Sequence, residues 1–461
     1  MERLSALDTE FLHLEDGISH MHIAGVSVFD GSPPTDDELQ ALLASKLHDI
    51  PRYRQRVRDV PFELGRPVWV DDPHFNLAYH VRTTALPEPD DADLCKLVGR
   101  LMSQELDRAR PLWEAWIVHG LPDGRWALIS KVHHCMVDGI AGVGLLEALL
   151  DIDPDAEVAP PVPWTPSAEP SGPALVLDAW GGLLGDLATR VGRIPSRILD
   201  PVGTLRGLGD TGAGLLRLGR HLGTTPPLSL EGTIGPHRVW AHSSATIDDV
   251  RRIRKSLGGT LNDVVLAAVT NGYRELLLSR GEDVDNAVVR TLVPVSVRPS
   301  GAEHETANRV SAILYELPLN LGDPVARLVA VQSQMTQLKA SHMPEAGDAV
   351  TAFANLLPPM LMGNTTRLAM RLTREHPQRS LNTVTTNVPG PQFPLYCLGR
   401  EMLEHRPYVP ISHGLRVGTA ILSYHGLLSF GVTGDFDAAP DVAVVAAGIA
   451  AGIDQLVERS I

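Results

Sequence analysis

Two adjacent histidines, His133 and His134, open the segment HHCMVDG, which also contains Asp138 and Gly139. A histidine side chain suits proton transfer near neutral pH because its unperturbed pKa is about 6.5. Asp138 can fix the local geometry through a charge or a hydrogen bond, and Gly139 permits a tight backbone turn. The residue types in this segment therefore indicate general acid–base chemistry.

The same residues fit three other interpretations. A metal site would use His133, His134 and Asp138, but adjacent histidines point in different directions and no complete ligand set is evident. Cys135 would be a nucleophile beside a histidine, although immediate neighbours in sequence rarely face one another. Two histidines satisfied within a buried turn would need no catalytic role. Spacing alone leaves the catalytic and the structural interpretation open.

The motif lies where a strand is expected to change into a helix. Trp126–Val132 is typical of a strand that runs directly into HHCMVDG, and Gly142–Leu150 predicts a short helix after it. Such a junction lets side chains project from a rigid support. Earlier in the chain, Met21–Phe29 alternates and carries β-branched residues, which predicts a strand. Asp36–Leu47 begins with acidic residues and has the apolar spacing of an amphipathic helix.

At 461 residues the chain is too long for one ordinary core, so two domains are expected. Prolines throughout Asp153–Pro173 exclude a continuous helix or a central strand, which makes this stretch the clearest linker. Ala174–His221 predicts broken amphipathic helices with a basic face, suited to domain bridging or to a membrane surface. The predicted division is a first domain at 1–152, a connector at 153–237 and a second domain at 238–461.

The second domain also mixes helices and strands. Thr260–Arg274 predicts a helix, and His425-Gly426 predicts a hairpin turn between two strands. No fixed-period repeat is present, which argues against a solenoid or a propeller. The fold class is therefore predicted as mixed α/β (α+β), with two related domains. The expected strands of this half are Val288–Val297, Val310–Leu317, Thr419–Tyr424 and Leu427–Thr433.

Composition excludes several classes of function. The 55 acidic and 40 basic residues give a net charge of -15, which argues against a nucleic-acid partner. The three cysteines are far apart and predict neither a disulfide framework nor a zinc site, so a reducing compartment is expected. The N-terminal segment lacks the features of a secretory signal, and no apolar run is long enough to cross a bilayer. Any membrane contact is expected to be peripheral.

Several further segments, and the order in which they follow one another along the chain, carry a resemblance to a known family. The chain resembles the bacterial wax ester synthase/acyl-CoA:diacylglycerol acyltransferase family, within the HHxxxDG acyltransferase superfamily. Besides HHCMVDG, the matching segments are LSALDTEFLHLED (Leu4–Asp16), MHIAGVSVF (Met21–Phe29), PRYRQR (Pro51–Arg56), DDPHFNLAYHVR (Asp71–Arg82), RPLWE (Arg110–Glu114), LNDVVLA (Leu261–Ala267), PVSVR (Pro294–Arg298), ANRVS (Ala307–Ser311), TNVPGP (Thr386–Pro391) and ISHGLRVG (Ile411–Gly418).

The resemblance implies two chloramphenicol-acetyltransferase-like domains with the active site in a channel between them. It implies that His134 is the general base and that His133 supports it, with Gly139 completing the motif. It also implies that Asp138 forms a structural salt bridge, for which Arg298 is the first choice of partner and the arginines of PRYRQR are the second. No metal and no cofactor are expected, because acyl-CoA is itself a substrate.

Three pairs or triplets of residues are candidates for binding substrates, each with an ordinary structural alternative. Residues of RPLWE either shape a lipid cavity or fill the core. The start of LNDV either lies on the active-site wall or caps its own helix. Residues of TNVPGP either stabilise an oxyanion or form a turn. The candidates are Pro111, Leu112, Trp113, Asn262, Asp263, Thr386 and Asn387.

The function implied by the resemblance is transfer of a long-chain acyl group from acyl-CoA to diacylglycerol, which makes triacylglycerol. Long-chain alcohols are the other expected acceptors and would give wax esters. The expected location is the cytoplasm, peripherally at the inner face of the plasma membrane or at a lipid-droplet surface. Two alternatives stay open, which are an acyltransferase that takes its donor from a carrier protein and a non-catalytic lipid-binding protein.

Overall fold

The computed structural model describes residues 2–136, 149–181, 227–296, 310–340 and 381–460. Its strands are β1 (Glu2–Arg3), β2 (His22–Phe29), β3 (Gln55–Arg58), β4 (Val68–Asp71), β5 (Val81–Ala85), β6 (Trp113–His119), β7 (Trp126–His133), β8 (Glu231–Gly232), β9 (Arg238–Thr246), β10 (Val289–Ser296), β11 (Val310–Leu317), β12 (Thr383–Pro389), β13 (Tyr396–Cys397), β14 (Arg400–Tyr408), β15 (Gly414–Leu415), β16 (Val417–Tyr424) and β17 (Leu427–Asp435).

Residues 172–181, at the edge of one range, are helical, and eight α-helices lie entirely within the described ranges. They are α1 (Ala6–Leu14), α2 (Asp36–Lys46), α3 (Leu77–His80), α4 (Asp91–Met102), α5 (Ile247–Leu257), α6 (Leu261–Ser279), α7 (Pro324–Ala340) and α8 (Val442–Glu458). Single 3₁₀ turns form at Pro51–Arg54, Pro61–Glu63, Pro122–Gly124 and His134–Met136. In the described part of the chain, no helix combines the length and the apolar character that a bilayer crossing requires.

Two six-stranded mixed sheets organise the molecule. The first has the strand order β13-β14-β2-β7-β6-β5, and the second has the order β11-β10-β12-β16-β17-β9. In the first sheet β7 lies between β2 and β6 and is antiparallel to both. The residues at the end of β7 therefore project from one of the inner strands of a sheet, which is a rigid support.

The core of the second half forms around two helices, α6 and α8, packed against the second sheet. A capping box at Thr260 and Asp263 fixes the start of α6. Close approach of the two helices requires glycine, because a Cβ atom at Gly272 would lie 2.6 Å from the carbonyl oxygen of Val445. On its buried side, the hydroxyl of Tyr273 lies 2.6 Å from that of Thr383 in β12, which ties α6 to the sheet.

One strand crosses from the second half of the sequence into the first sheet. β14 pairs antiparallel with β2, in a register that places Tyr408 opposite Ala24 and Met402 opposite Phe29. A buried hydrogen bond of 2.9 Å joins the Ser27 hydroxyl to His405 Nδ1 across this pair. The predicted division at residues 152 and 238 stays a prediction, but the two halves are interlocked through this strand.

The proline-rich stretch after residue 152 lies against the first half rather than standing away from it. The backbone N–H of Ser167 donates to Asp71 Oδ2 over 2.9 Å, and Arg54 lies over the ring of Trp164 at 4.6 Å from its centroid. Leu175 is completely buried in a small apolar cluster with Val68. The absence of helix and strand from residues 153–170 agrees with the linker prediction.

The elements predicted from periodicity are confirmed with shifts of a few residues at most helix and strand ends. The strands predicted at Met21–Phe29 and Trp126–Val132 are β2 and β7, and the helix predicted at Asp36–Leu47 is α2. The hairpin predicted at His425-Gly426 forms, with φ values of 40° and 84° at those two residues. Most of the predicted helices at Gly142–Leu150 and Ala174–His221 lie outside the described residues.

Candidate active site

His134 directly follows the last residue of β7 and begins a 3₁₀ turn. Its backbone N–H donates to the carbonyl oxygen of Met21 over 2.8 Å. Its ring stacks on the ring of Phe11 from α1, with a centroid distance of 3.9 Å and an interplanar angle of 22°. These contacts fix the imidazole between α1 and the start of β2, while the side chain stays partly exposed.

The protonation state of His134 follows from its surroundings. Burial lowers the pKa of His134 to about 4, and contact with its own backbone carbonyl opposes this only in part. The ring is therefore neutral at pH 7, which is the form that accepts a proton. Its Nδ1 atom is enclosed and has no hydrogen-bond partner among the described residues. The other ring nitrogen, Nε2, is accordingly the one that a substrate can meet.

His133 points into the interior and is completely buried. Its backbone N–H donates to the carbonyl oxygen of Leu112 over 2.9 Å. Its Nδ1 atom accepts the backbone N–H of Cys135 over 3.1 Å, and its Nε2 atom lies 3.5 Å from Glu15 Oε2. Both ring nitrogens of His133 thus face groups of other residues. The two adjacent histidines occupy different environments.

The described residues argue against Cys135 as a nucleophile. Cys135 is buried, and burial raises the pKa of its thiol, whereas a nucleophilic cysteine needs access and a lowered pKa. Within the described ranges, no group of three or more His, Cys, Asp or Glu side chains has the arrangement of a metal site, but Asp138 of the alternative metal site lies outside these ranges. The neutral imidazole of His134, a residue of intermediate exposure, is the reactive group that the geometry favours.

Residues 111–114 of RPLWE are buried where β6 begins. Trp113 packs between the rings of Tyr53 and His80, at centroid distances of 4.8 and 4.5 Å. Its indole N–H donates to the carbonyl oxygen of Tyr53 over 2.9 Å. Pro111 and Leu112 are buried as well, and the Leu112 carbonyl holds the backbone of His133. These contacts are those of core residues, and a part in a lipid cavity stays a prediction.

The two candidate residues of LNDV, Asn262 and Asp263, make different contacts. Asp263 caps its own helix, because its carboxylate accepts the backbone N–H of Thr260 over 2.7 Å. Asn262 instead accepts a hydrogen bond of 3.3 Å from Asn387 Nδ2 in β12. The structure therefore brings together two predicted site residues, Asn262 and Asn387, that are 125 positions apart. No hydrogen bond or ring contact between described residues connects this pair to His134.

The alternative that Thr386 and Asn387 form a turn is wrong, because both lie inside β12. Thr386 is paired with Ala420 and Asn387 with Ile421 in the neighbouring strand β16. Both side chains are partly exposed. Their polar atoms are thus held by a rigid strand, as donors to an oxyanion would need to be.

Several predicted site residues fall outside the described ranges. They are Asp138 and Gly139 of the motif and Arg298 of PVSVR. The salt bridge between Asp138 and Arg298 therefore stays a prediction.

Sequence reasoning missed three residues around the motif. Phe11 stacks on His134, and the buried residues Glu15 and His22 lie behind His133. Phe11 and Glu15 belong to the segment LSALDTEFLHLED, and His22 belongs to MHIAGVSVF. Both segments carry the family resemblance, but nothing in their spacing relates them to a motif more than 100 positions away.

Comparison with known proteins gives a consistent family. Residues 4–265 match the wax ester synthase/diacylglycerol acyltransferase catalytic domain, and residues 306–457 match the C-terminal domain of that family. A protein of Mycobacterium tuberculosis named "probable diacylglycerol O-acyltransferase" is 37% identical over 463 residues, covering 100% of this chain and 96% of the relative.

Solved structures agree with this match. The wax ester synthase/diacylglycerol acyltransferase of Marinobacter aquaeolei has a TM-score of 0.71 and 26% identity, with both chains covered completely. A mutant starter condensation domain of rhizomide synthetase has a TM-score of 0.55 and 13% identity, covering 100% of this chain and 93% of that domain. The second likeness concerns the fold alone. Together they confirm the predicted two-domain acyltransferase fold.

Proposed function

The chain belongs to the wax ester synthase/diacylglycerol acyltransferase family, and from that premise we propose that it transfers a long-chain acyl group from coenzyme A to the hydroxyl of diacylglycerol. The product is triacylglycerol, and long-chain alcohols are secondary acceptors that give wax esters. The observation that carries the proposal is the neutral imidazole of His134, a residue of intermediate exposure at the end of an inner strand. The family match extends over both halves of the chain.

The proposed reaction is a direct transfer. His134 Nε2 takes the hydroxyl proton while the hydroxyl oxygen forms a bond with the thioester carbonyl carbon. The resulting tetrahedral intermediate collapses as the carbon–sulfur bond breaks, and the imidazolium returns its proton to the departing thiolate. His134 ends the cycle neutral, so no resident cofactor is needed. Acid–base catalysis of this kind contributes roughly 10²–10⁴-fold to the rate.

The tetrahedral intermediate carries a negative oxygen that needs hydrogen-bond donors. We assign this role to the Asn387 amide, supported by its position inside β12 and its partial exposure. Thr386 is the preceding residue of the same strand and points to the opposite face, so it is not assigned to the same oxygen. Asn262 supports the assignment because its side-chain oxygen accepts from Asn387 Nδ2 and orients that amide. An Asn387→Ala variant should therefore lose turnover with a smaller change in substrate binding, as measured by kcat and KM.

Acceptor preference is the part of the proposal that one assay decides. Purified protein is given radiolabelled palmitoyl-CoA with diacylglycerol and hexadecanol in competition, and products are separated by lipid class. We expect triacylglycerol as the main product and a smaller amount of wax ester. Wax ester as the main product would reverse the acceptor order.

The same assay distinguishes the alternative functions. A parallel reaction uses palmitoyl-acyl carrier protein as the donor. If kcat/KM is higher with this donor than with palmitoyl-CoA, the carrier protein takes the place of coenzyme A as the proposed donor. Binding of both lipids without any product, from either donor, would indicate a lipid-binding protein.

We also propose that the protein works in the cytoplasm at a membrane or lipid-droplet surface, because its acceptor resides there. Three large apolar side chains support this, since Phe62, Leu177 and Trp180 are 86%, 73% and 50% exposed. Exposed apolar groups of this size favour the interfacial region of a lipid surface. Trp180→Ser combined with Phe62→Ser should reduce co-sedimentation with phosphatidylglycerol vesicles. The control is Val329→Ser, which removes an apolar side chain that is 54% exposed on α7. An equal loss of vesicle co-sedimentation in the control and in the double variant would contradict the proposal.

A further inference from the structure

A buried carboxylate lies directly behind the histidine motif. Glu15 is the residue that ends α1, and only 7% of its side chain is exposed. Its Oε1 atom lies 3.0 Å from His22 Nε2, and its Oε2 atom lies 3.5 Å from His133 Nε2. His22 and His133 are directly opposite each other in the β2–β7 pair. One carboxylate therefore spans a cross-strand pair of histidines.

The ionisation of this carboxylate is consistent with its neighbours. Burial opposes ionisation of Glu15, but contacts from His133 and His22 outweigh it and hold the pKa of the carboxyl well below its ordinary value. Arg108 reaches the same group from the solvent side, donating from Nη2 to Oε2 over 2.7 Å. The buried Lys131 is directed elsewhere, because its ammonium donates to the carbonyl oxygens of Leu101 and Gln104.

The contacts of His133 determine its tautomer. Its Nδ1 atom accepts the Cys135 N–H, so this nitrogen carries the lone pair. A neutral imidazole has one N–H and one acceptor nitrogen, which places the hydrogen on Nε2, facing Glu15. The other tautomer would place an N–H against the N–H of Cys135 and would break that contact. The Glu15 carboxylate lies 3.5 Å from Nε2 without hydrogen-bond geometry, so its negative charge is what favours this tautomer.

This tautomer bears on His134 because His134 lies between the two residues that the contact joins. The bond from Cys135 N–H to His133 Nδ1 closes a turn around His134, and the Met21 carbonyl holds the His134 backbone from the other side. Loss of the first bond would remove one of the contacts that hold this turn in place. A displacement of a catalytic group by about 1 Å is enough to lower a rate by roughly 10²-fold.

We propose that Glu15 is a positioning residue for His134, which acts by holding His133 in the Nε2–H tautomer that secures the turn carrying the catalytic ring. The inference rests on the proposed acyl transfer, since it explains how the base of that reaction is oriented. Glu15 itself touches neither substrate.

Glu15→Gln is the most informative variant, because an amide of the same shape turns an N–H₂ group toward one of the two histidines. We expect kcat with palmitoyl-CoA to fall roughly 10- to 100-fold. KM for palmitoyl-CoA should stay within about twofold, because the substrate contacts are untouched. NMR of histidine-labelled protein should show the His133 signals, assigned by their loss in His133→Gln, move away from the Nε2–H tautomer.

The matched control is Glu10→Gln in the same helix. Glu10 lies 3.4 Å from His13, so it is also a glutamate beside a histidine, but His13 is not part of the motif. Neither the kinetic constants nor the His133 signals should change. A merely structural role for Glu15 would lower the melting temperature without changing the tautomer.

Three results would overturn the inference. They are a Glu15→Gln enzyme with the kcat of the parent, an unchanged His133 tautomer in that variant, and a parent protein whose His133 is an Nδ1–H tautomer or a cation between pH 6 and 8. The last measurement needs only the parent and the His133→Gln variant that assigns its signals, so it decides the question even if Glu15→Gln does not fold. If the parent makes no product from palmitoyl-CoA, the proposed function fails, and the tautomer comparison still tests the role of Glu15.

Discussion

Replacement of Trp113 tests whether the RPLWE segment builds the core or lines a lipid cavity. The side chain is 3% exposed, packs between two rings and donates a hydrogen bond to the Tyr53 carbonyl. Truncating a buried tryptophan to alanine costs about 3–5 kcal/mol. The unpaired carbonyl adds about 1 kcal/mol, so Trp113→Ala should lower the free energy of unfolding by about 4–6 kcal/mol. Trp113→Phe keeps most of the ring and should cost about 1–3 kcal/mol.

The assay is guanidinium unfolding followed by far-ultraviolet circular dichroism, which does not depend on the removed fluorophore. The control is Trp116→Phe on the same strand, because Trp116 is only partly buried and donates to Glu114 Oε2. We expect the control to change stability by roughly 0.5 kcal/mol. A Trp113→Ala protein that keeps the stability of the parent while its acyl-chain preference changes would refute the core assignment and favour the cavity.

Three further predictions concern pH and packing. On the acid side, kcat/KM should fall with an apparent pKa near 4 rather than 6.5, because burial lowers the pKa of His134 to about 4. An apparent pKa of 6.5 or above would contradict the burial of the His134 ring. Burial lowers the pKa of Lys131 from 10.5 to about 8, so the unfolded chain binds more protons between these values and stability should rise with pH there. Lys131→Met should remove that rise in denaturation measured at pH 8 and 10, and an unchanged slope would exclude Lys131 as its source. Gly431→Ala should prevent folding or lower the melting temperature strongly, because its Cβ would lie 1.7 Å from the Pro407 carbonyl oxygen. Gly181→Ala should do neither, because its Cβ would have no atom of a described residue within 4 Å.

Local patterns predicted several of the described helices and strands, because these elements depend on short-range periodicity. Alternation in β2 and the apolar run of β7 identify strands that bury side chains in the first sheet. The Thr260 and Asp263 capping box marks the start of α6 within the sequence itself. The hairpin at His425-Gly426 follows from residues that tolerate positive φ.

The long-range arrangement could not be predicted from such patterns. The pairing of β14 with β2 joins residues such as Ser27 and His405, which are 378 positions apart, and no local signal specifies the partner of a strand. The packing of the proline-rich connector on the first half was missed for the same reason, since composition describes its backbone but not its contacts.

In the candidate site, too, local sequence identified residue types, whereas contacts between distant residues required the structure. Residue chemistry identified His134 as a possible base, and the resemblance raised this above the structural interpretation. The difference between His134 and His133 required the structure, because it depends on Leu112, Glu15 and Phe11, which lie on other elements. The contact between Asn262 and Asn387 likewise depends on how α6 meets β12.

The most direct test of the account is a single-turnover measurement on His134→Ala, with saturating palmitoyl-CoA and diacylglycerol, beside the parent and a His48→Ala control whose histidine side chain is 44% exposed. We predict that His134→Ala binds palmitoyl-CoA and melts like the parent but transfers the acyl group roughly 10²–10⁴-fold more slowly. The control should match the parent in all three properties. A His134→Ala protein that is stable and transfers within about tenfold of the parent rate would show that another group accepts the hydroxyl proton.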